Sequence, residues 1–257
     1  MTTGEIRVIP VSLSDEITPG DDLADKLCAA LGQQKLRLQN GDILVMKHKI
    51  VSKAEGQIVE LSSVTPSRAA KDWAQKSGTD PRLIELVLRE SKRIVRKKML
   101  GKARGVLITE TRHGLVCANS GVDASNVDGG GRALLLPKDP DRSAARLRSR
   151  VKKTLGVSVA VIVSDSFGRP WREGLTEVAI GVAGMKPLLD YRGKRDPHGY
   201  QLRASYEAVA DELACAAGLV CGKLNRTPVC IVRGFKYQPR KGSARELIRA
   251  KESDLFR

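Results

Sequence analysis

VSVAVIVSDSFGRPWREG, Val157 to Gly174, divides into an apolar half and a polar half. Val157 to Val163 is a β-branched run of the length and composition of a strand buried on both faces. The chain then leaves the strand and at once presents Asp165 and Ser166, with Arg169 and Arg172 close behind. A carboxylate at the end of a core strand, near two guanidinium groups, is a place where a hard cation and phosphate can meet. The plainer alternative is a turn-forming aspartate paired with Arg169.

Upstream, a basic helix is expected to be capped by Ser143 and ended by Gly156. Farther back, Arg7 to Val11 reads as a strand and Asp21 to Leu31 as a helix. Gly41-Asp42 introduces a strand over Ile43 to Met46. Asp80-Pro81 opens a helix with Leu83, Ile84, Val87, Leu88 and Ile94 on one face, so Lys92, Arg93, Arg96, Lys97 and Lys98 read as its basic end. Val106 to Thr109 and Leu115 to Ala118 have the pattern of a hairpin, and Val127 to Arg132 that of a glycine-rich loop. Downstream, Tyr206, Val209, Ala210, Leu213, Ala217 and Val220 recur at helical spacing up to Gly222. Pro228 to Val232 reads as a core strand, and Ser243 onward as a surface helix. Strands and helices mix without regular βαβ alternation, which predicts an α+β fold of mixed sheets and packed helices. No repeat or linker divides residues 1–257, so the expectation is one unit of two interleaved subdomains.

The 257 residues are 41% apolar and 29% charged, the profile of a folded protein. No apolar run reaches membrane-spanning length, and Met1 to Glu5 lacks leader character, so a cytoplasmic protein without membrane partners is expected. Cys28, Cys117, Cys215, Cys221 and Cys230 lie in apolar runs without CxxC spacing and read as reduced core thiols. A formal net charge of +16 implies anionic partners. At 4% aromatic content the chain lacks the stacking platforms of single-strand binders, which argues against nucleic acid.

Three further segments concentrate polar residues beside predicted strands. In His48 to Gly56, Lys49 and Lys53 offer compact cations for phosphate oxygens. Asn119 to Val127 is dense in oxygen ligands around Asp123, either a magnesium site or an Asx-rich turn. Cys221 to Pro228 links the last long helix to the last strand, a position where backbone amides can face phosphate, or simply a connection. His198 lies in a turn with little to mark it for chemistry. No P-loop, GxGxxG, HExxH or GxSxG sequence occurs, so a nucleotide site here would be of an uncommon kind.

Taken in order, Pro10-Val11-Ser12-Leu13, KIVSKAEG, ANSGVDASNV, SDSFGRPWREG with AIGVAG, DYRG, AVADELACAAGLVCGK and PVCIVRG resemble the coenzyme F420:L-glutamate ligase family from about residue 7 to 235. The resemblance implies a GTP-dependent amide synthetase using magnesium or manganese, helped by potassium in some members, and acting as an intertwined homodimer. Its implied substrates are L-glutamate with F420-0, and then F420-1 through γ-linkage. It implies Asp123, Asp165 and Ser166 as metal ligands. It implies GTP contacts from Pro10, Val11, Ser12, Leu13, His48, Lys53 and Asn126, and from Cys221, Gly222, Lys223, Leu224, Asn225, Arg226, Thr227 and Pro228. Two positions depart from the pattern. His48 stands where many members carry glutamine, and Lys223 falls where a ligand to a second metal, often glutamine, is expected; an ammonium cannot ligate a cation.

Overall fold

In a computed structural model that describes residues 4–101, 105–124 and 131–254, the apolar runs become the strands of one central sheet. Its strands are β1 (Arg7–Val11), β2 (Ile43–Lys47), β8 (Ala160–Arg169), β9 (Arg172–Ala183) and β12 (Val229–Arg233). Their order is β1-β12-β2-β8-β9. Only β2 and β8 run parallel, with Met46 opposite Val163 and Lys47 opposite Ser164; the other pairs are antiparallel. Pro10 lies on the edge strand β1, where its missing N–H is tolerated.

Alternation along these strands builds two cores. Leu44, Met46, Val161, Val163, Val229 and Ile231 pack on one face with α1 (Leu23–Gln33) and α5 (Pro140–Leu155). Ile43, Val45, Ala160, Ile162, Cys230 and Val232 pack on the other with α6 (Val209–Cys221). Burial on both faces explains why these strands lack polar alternation.

Between β2 and β8 the chain builds α2 (His48–Ala54), β3 (Ile58–Glu60), α3 (Arg68–Ser77), α4 (Pro81–Glu90), β4 (Ser91–Met99), β5 (Gly105–Thr111), β6 (Val116–Ala118) and β7 (Arg132–Leu134). Here β4-β5-β6 forms an antiparallel sheet and β3 pairs with β7. Among the described residues the architecture is α+β, with mixed and antiparallel sheets, none of them closed. A separate short pair joins β10 (Leu189–Asp190) to β11 (Tyr206–Glu207).

Several expectations are corrected. The helix from Pro81 stops at Glu90, and Ile94 and the basic run belong to β4, paired along β5. Ser91 Oγ donates to Val87 O at 2.5 Å, satisfying a carbonyl of the last helical turn as the chain becomes extended. Ser143 lies inside α5, which Asp139 caps through Arg142 N, with Pro140 in the first turn; Gly156 ends it as expected. Tyr206 belongs to β11, and α6 begins at Val209. The strand expected to end at Val163 runs on to Arg169, so Asp165 and Ser166 are strand residues. Beyond Ser243 there are short 3-10 turns, Ala244–Leu247 and Lys251–Ser253. Of the expected loop from Val127, residues 127–130 lie outside the described residues, and Arg132 begins β7.

Candidate active site

Parallel neighbours β2 and β8 both end at one side of the sheet, and a ligand can reach the chain there, outside the carboxyl ends of parallel strands. Five basic side chains converge at that edge: Lys47 closes β2, Lys49 and Lys53 stand on α2, and Lys223 and Arg226 come from the loop between α6 and β12. Together with Leu13, Ile17, Ile50, Cys221, Gly222, Thr227 and Pro228 they line a cavity of about 460 Å³. Asp15 and Glu16 lie on its rim, and Glu16 Oε1 accepts from Lys53 Nζ at 2.7 Å.

The loop that supplies Lys223 is held by its own bonds. Gly222 has φ +58° and ψ −162°, a conformation for which a side chain is poorly suited. Thr227 Oγ1 donates to Cys221 O at 3.0 Å, and Lys47 N donates to Pro228 O at 2.9 Å, tying the loop to β2.

Beneath the cavity lies a polar cluster on β8 and β9. Ser166 Oγ donates to Glu177 Oε1 at 2.6 Å and accepts from Lys223 Nζ at 2.5 Å. Lys47 Nζ is 2.5 Å from the same Glu177 oxygen, and Ser164 Oγ donates to Oε2 at 3.2 Å. Burial pushes the Glu177 carboxyl up, but bonds from Lys47 and Ser166 and the charges of Lys47 and Lys223 outweigh it and hold the group below its ordinary value. It is therefore a carboxylate at neutral pH.

Asp165 Oδ1 accepts from Ser166 N at 2.7 Å and lies 3.2 Å from Nε2 of the buried His48. The other ring nitrogen of His48 is 3.3 Å from Ser52 Oγ, so the imidazole orients the aspartate from below. Asp123 bridges to Leu134 through its backbone and places Oδ2 2.5 Å from Lys49 Nζ. Lys49 thus joins Asp123 to the cavity wall. Among the described residues no group of three or more His, Cys, Asp or Glu side chains converges as a metal cage. The Asp123 and Asp165 carboxylates are hard oxygen groups that could hold Mg²⁺ with phosphates and waters completing its shell.

The expected nucleotide contacts divide. Leu13, Lys53, Cys221, Gly222, Lys223, Arg226, Thr227 and Pro228 reach the cavity. Val11 is wholly buried in the core, Ser12 N is taken by Gln34 Oε1, and Leu224 points to solvent at 91% exposure. His48 acts from behind Asp165, and Asn126 lies outside the described residues. Lys47 and Glu177 carry no mark in the motif reading. The available signal was a lysine directly after an apolar strand and a carboxylate directly before one.

The profile of the F420-0:gamma-glutamyl ligase family matches residues 13–234. A coenzyme F420:L-glutamate ligase of Methanopyrus kandleri is 44% identical over 98% of each chain. That of Methanothermobacter thermautotrophicus is 43% identical over 98% of this chain and 99% of its own, and that of Methanocaldococcus jannaschii 43% over 86% of each. With most of its length matched by that family's profile and by relatives well above 30% identity, the chain belongs to the F420-0:gamma-glutamyl ligase family.

Proposed function

We infer that this chain is a coenzyme F420:L-glutamate ligase, the activity for which its full-length relatives are named. It forms the amide at the expense of GTP, adding L-glutamate to F420-0 and then a γ-linked glutamate to F420-1. The observation that carries the GTP reading is the convergence of Lys47, Lys49, Lys53, Lys223 and Arg226 on one cavity beside Asp165 and Ser166. Such a set of cations suits a triphosphate and an acidic acceptor, and no apolar ligand would call for it.

A carboxylate resists attack by an amine because its leaving group is poor. The acceptor carboxylate oxygen therefore takes the γ-phosphoryl group, the bond to the β-phosphate oxygen breaks, and GDP leaves. The amino nitrogen of glutamate then attacks the acyl carbon, the carbon–oxygen bond to phosphate breaks, and phosphate departs as the nitrogen loses its proton. The lysines and Arg226 hold the phosphates and meet charge that builds on the transferring oxygens with positive charge already in place. Magnesium or manganese, held by the carboxylates of Asp123 and Asp165, would further neutralise that charge. Potassium as an auxiliary ion belongs to the same reading.

The reading includes a homodimer and two interleaved subdomains, one built on the central sheet and one on the segments between β2 and β8. Supporting the dimer, Leu175 and Leu219 are 60% and 88% exposed and line one apolar surface hollow, with Trp171 81% exposed at the tip of the β8–β9 hairpin. No described helix is long and apolar enough to cross a membrane, in keeping with a cytoplasmic site of action.

Phosphate release with GTP, Mn²⁺, L-glutamate and F420-0 tests the function, run beside Asp123→Ala and Asp165→Ala with products weighed by mass spectrometry. Acceptor-dependent release with a glutamate-sized mass gain, reduced at least about 100-fold in both variants, is expected. Turnover that persists in both would remove the assigned metal ligands.

A further inference from the structure

Cys221 ends α6 and Cys230 lies on β12, and their sulfurs meet at 3.1 Å. Both residues are buried, but Cys221 also lines the cavity of the five cations, so a small solute held there lies beside it. The two cysteines stand nine positions apart in sequence. Between them run Lys223, Arg226, Thr227 and Pro228 of the cavity wall, so a bond between the sulfurs would close a ring around the loop that supplies two of the cations.

The two cysteines are held unequally. Cys230 lies opposite Pro10 on β1 and Val45 on β2, inside the central sheet, whereas Cys221 is the last residue of a helix and is followed by an exposed loop. Bonding the sulfurs draws them together by about 1 Å, and the helix end is the side that gives. Thr227 Oγ1 donates to Cys221 O at 3.0 Å, and Lys223 follows Cys221 by two residues, so a shift of Cys221 carries the cationic loop with it. The sulfurs also differ in reactivity. The hydrogen bond from Cys230 and the charge of Lys47 outweigh burial and the charge of Glu177, so the Cys221 thiol lies below its ordinary value; Cys230, which gives up that bond on ionising and is buried, is pushed up. The thiolate is the nucleophile in thiol oxidation, so Cys221 reacts first.

We propose that Cys221 and Cys230 are an oxidation site that a peroxide closes into a disulfide, drawing the loop from Gly222 to Pro228 away from the phosphates. The effect on the phosphates rests on the nucleotide reading above. The Cys221 sulfur attacks one peroxide oxygen, the oxygen–oxygen bond breaks, and water leaves a sulfenic acid on Cys221. The Cys230 sulfur then attacks the Cys221 sulfur, the sulfur–oxygen bond breaks, and a second water leaves with the Cys230 proton. Two thiols are oxidised and one peroxide is reduced to two waters. A dithiol reductant reverses the bond by exchange.

The full chain, reduced and then treated with hydrogen peroxide, tests this in two measurements: peptide mapping by mass spectrometry after alkylation of free thiols, and fluorescence anisotropy of a labelled, non-hydrolysable GTP analogue with Mn²⁺. Peroxide is expected to join the Cys221 and Cys230 peptides and to weaken the analogue about tenfold, with both changes undone by dithiothreitol. Cys230→Ala, which removes the second sulfur, is expected to give no joined peptides and to keep its affinity. Absence of the joined peptides in the wild type, or joined peptides with unchanged affinity, overturns the proposal without any variant having to fold. An equal loss of affinity in the folded Cys230→Ala variant also overturns it, because oxidation of Cys221 alone would then suffice. Failure of the reduced wild type to bind the analogue overturns the nucleotide reading instead, while the joined peptides still report on the thiol pair, so the two failures are distinguishable.

Discussion

Glu177 shows how a single carboxylate can organise several cations. Its side chain is 8% exposed and that of Lys47 18%, so neither charge is well hydrated without the other. Glu177→Gln keeps an acceptor but removes the charge, leaving the Lys47 ammonium buried without a counter-ion. We expect a loss of about 3 kcal/mol in stability by urea unfolding at pH 7. Because the folded pKa of Glu177 lies below its ordinary value of 4.5, its contribution is fully present above that pH and is lost as pH falls through the folded value. The gap between wild type and variant should therefore be constant from pH 7 to about pH 5 and close below pH 4.5; a gap that widens on acidification would show that the carboxylate is not held ionised. Asp165 and Ser166 were legible because they sit in a dense polar run after an apolar strand. Glu177 and Lys47 were not, because each acquires its meaning only when β2, β8 and β9 lie side by side.

The β8–β9 hairpin is the element on which the site is built, and its position depends on a close approach to α5. Gly181 on β9 faces the first turn of that helix, where an added Cβ would lie 2.5 Å from the Pro140 carbonyl carbon. The same turn carries Asp141, whose Oδ1 accepts from Val182 N and Ala244 N, both at 2.8 Å, so backbone on β9 and in the C-terminal segment is fastened there. Gly181→Ala must push helix and strand apart at a point where backbone meets backbone. The expected cost is about 2–3 kcal/mol, measured as a lower urea midpoint with unchanged m-value. A variant as stable as wild type would mean that α5 can shift freely, which the Asp141 bonds argue against. Local signals carry β1, which matches its strand run, and the Gly156 stop of α5, a left-handed glycine; α1, expected over Asp21 to Leu31, is instead Leu23–Gln33, because the Asp22 side chain accepts from Ala24 N and Asp25 N and starts the helix two residues later. The α4–β4 boundary was misread because Ile94 continues the helical spacing of Leu83 to Leu88. What decides against helix is nonlocal, the pairing of Ser91 to Met99 along β5. The extension of β8 through Arg169 has the same cause, since the polar residues after Val163 become strand only through their partners on β9.

At the scale of the whole molecule, a formal charge of +16 surrounds a cavity whose own wall is cationic. The central sheet brings β2 and β8 together as parallel neighbours although the whole α2-to-α5 region lies between them in sequence, and the lysines of β2, α2 and the α6–β12 loop face one opening at that edge. Such a field raises the local concentration of anionic substrates and falls with ionic strength, because surface charges beyond about 10 Å are screened at 0.1 M salt. Charges within the cavity, in contact with the bound phosphates, are screened far less. Salt should therefore act on capture more than on turnover. Raising NaCl from about 0.05 M to 0.5 M at constant potassium and manganese is expected to lower kcat/KM for GTP by roughly tenfold through KM, with kcat changing less than twofold. Steady-state kinetics with F420-0 and L-glutamate held saturating separates the two quantities. If kcat falls in step with kcat/KM while KM stays fixed, the basic surface is not steering substrate, and the salt is reaching the lysine cluster around Glu177 instead.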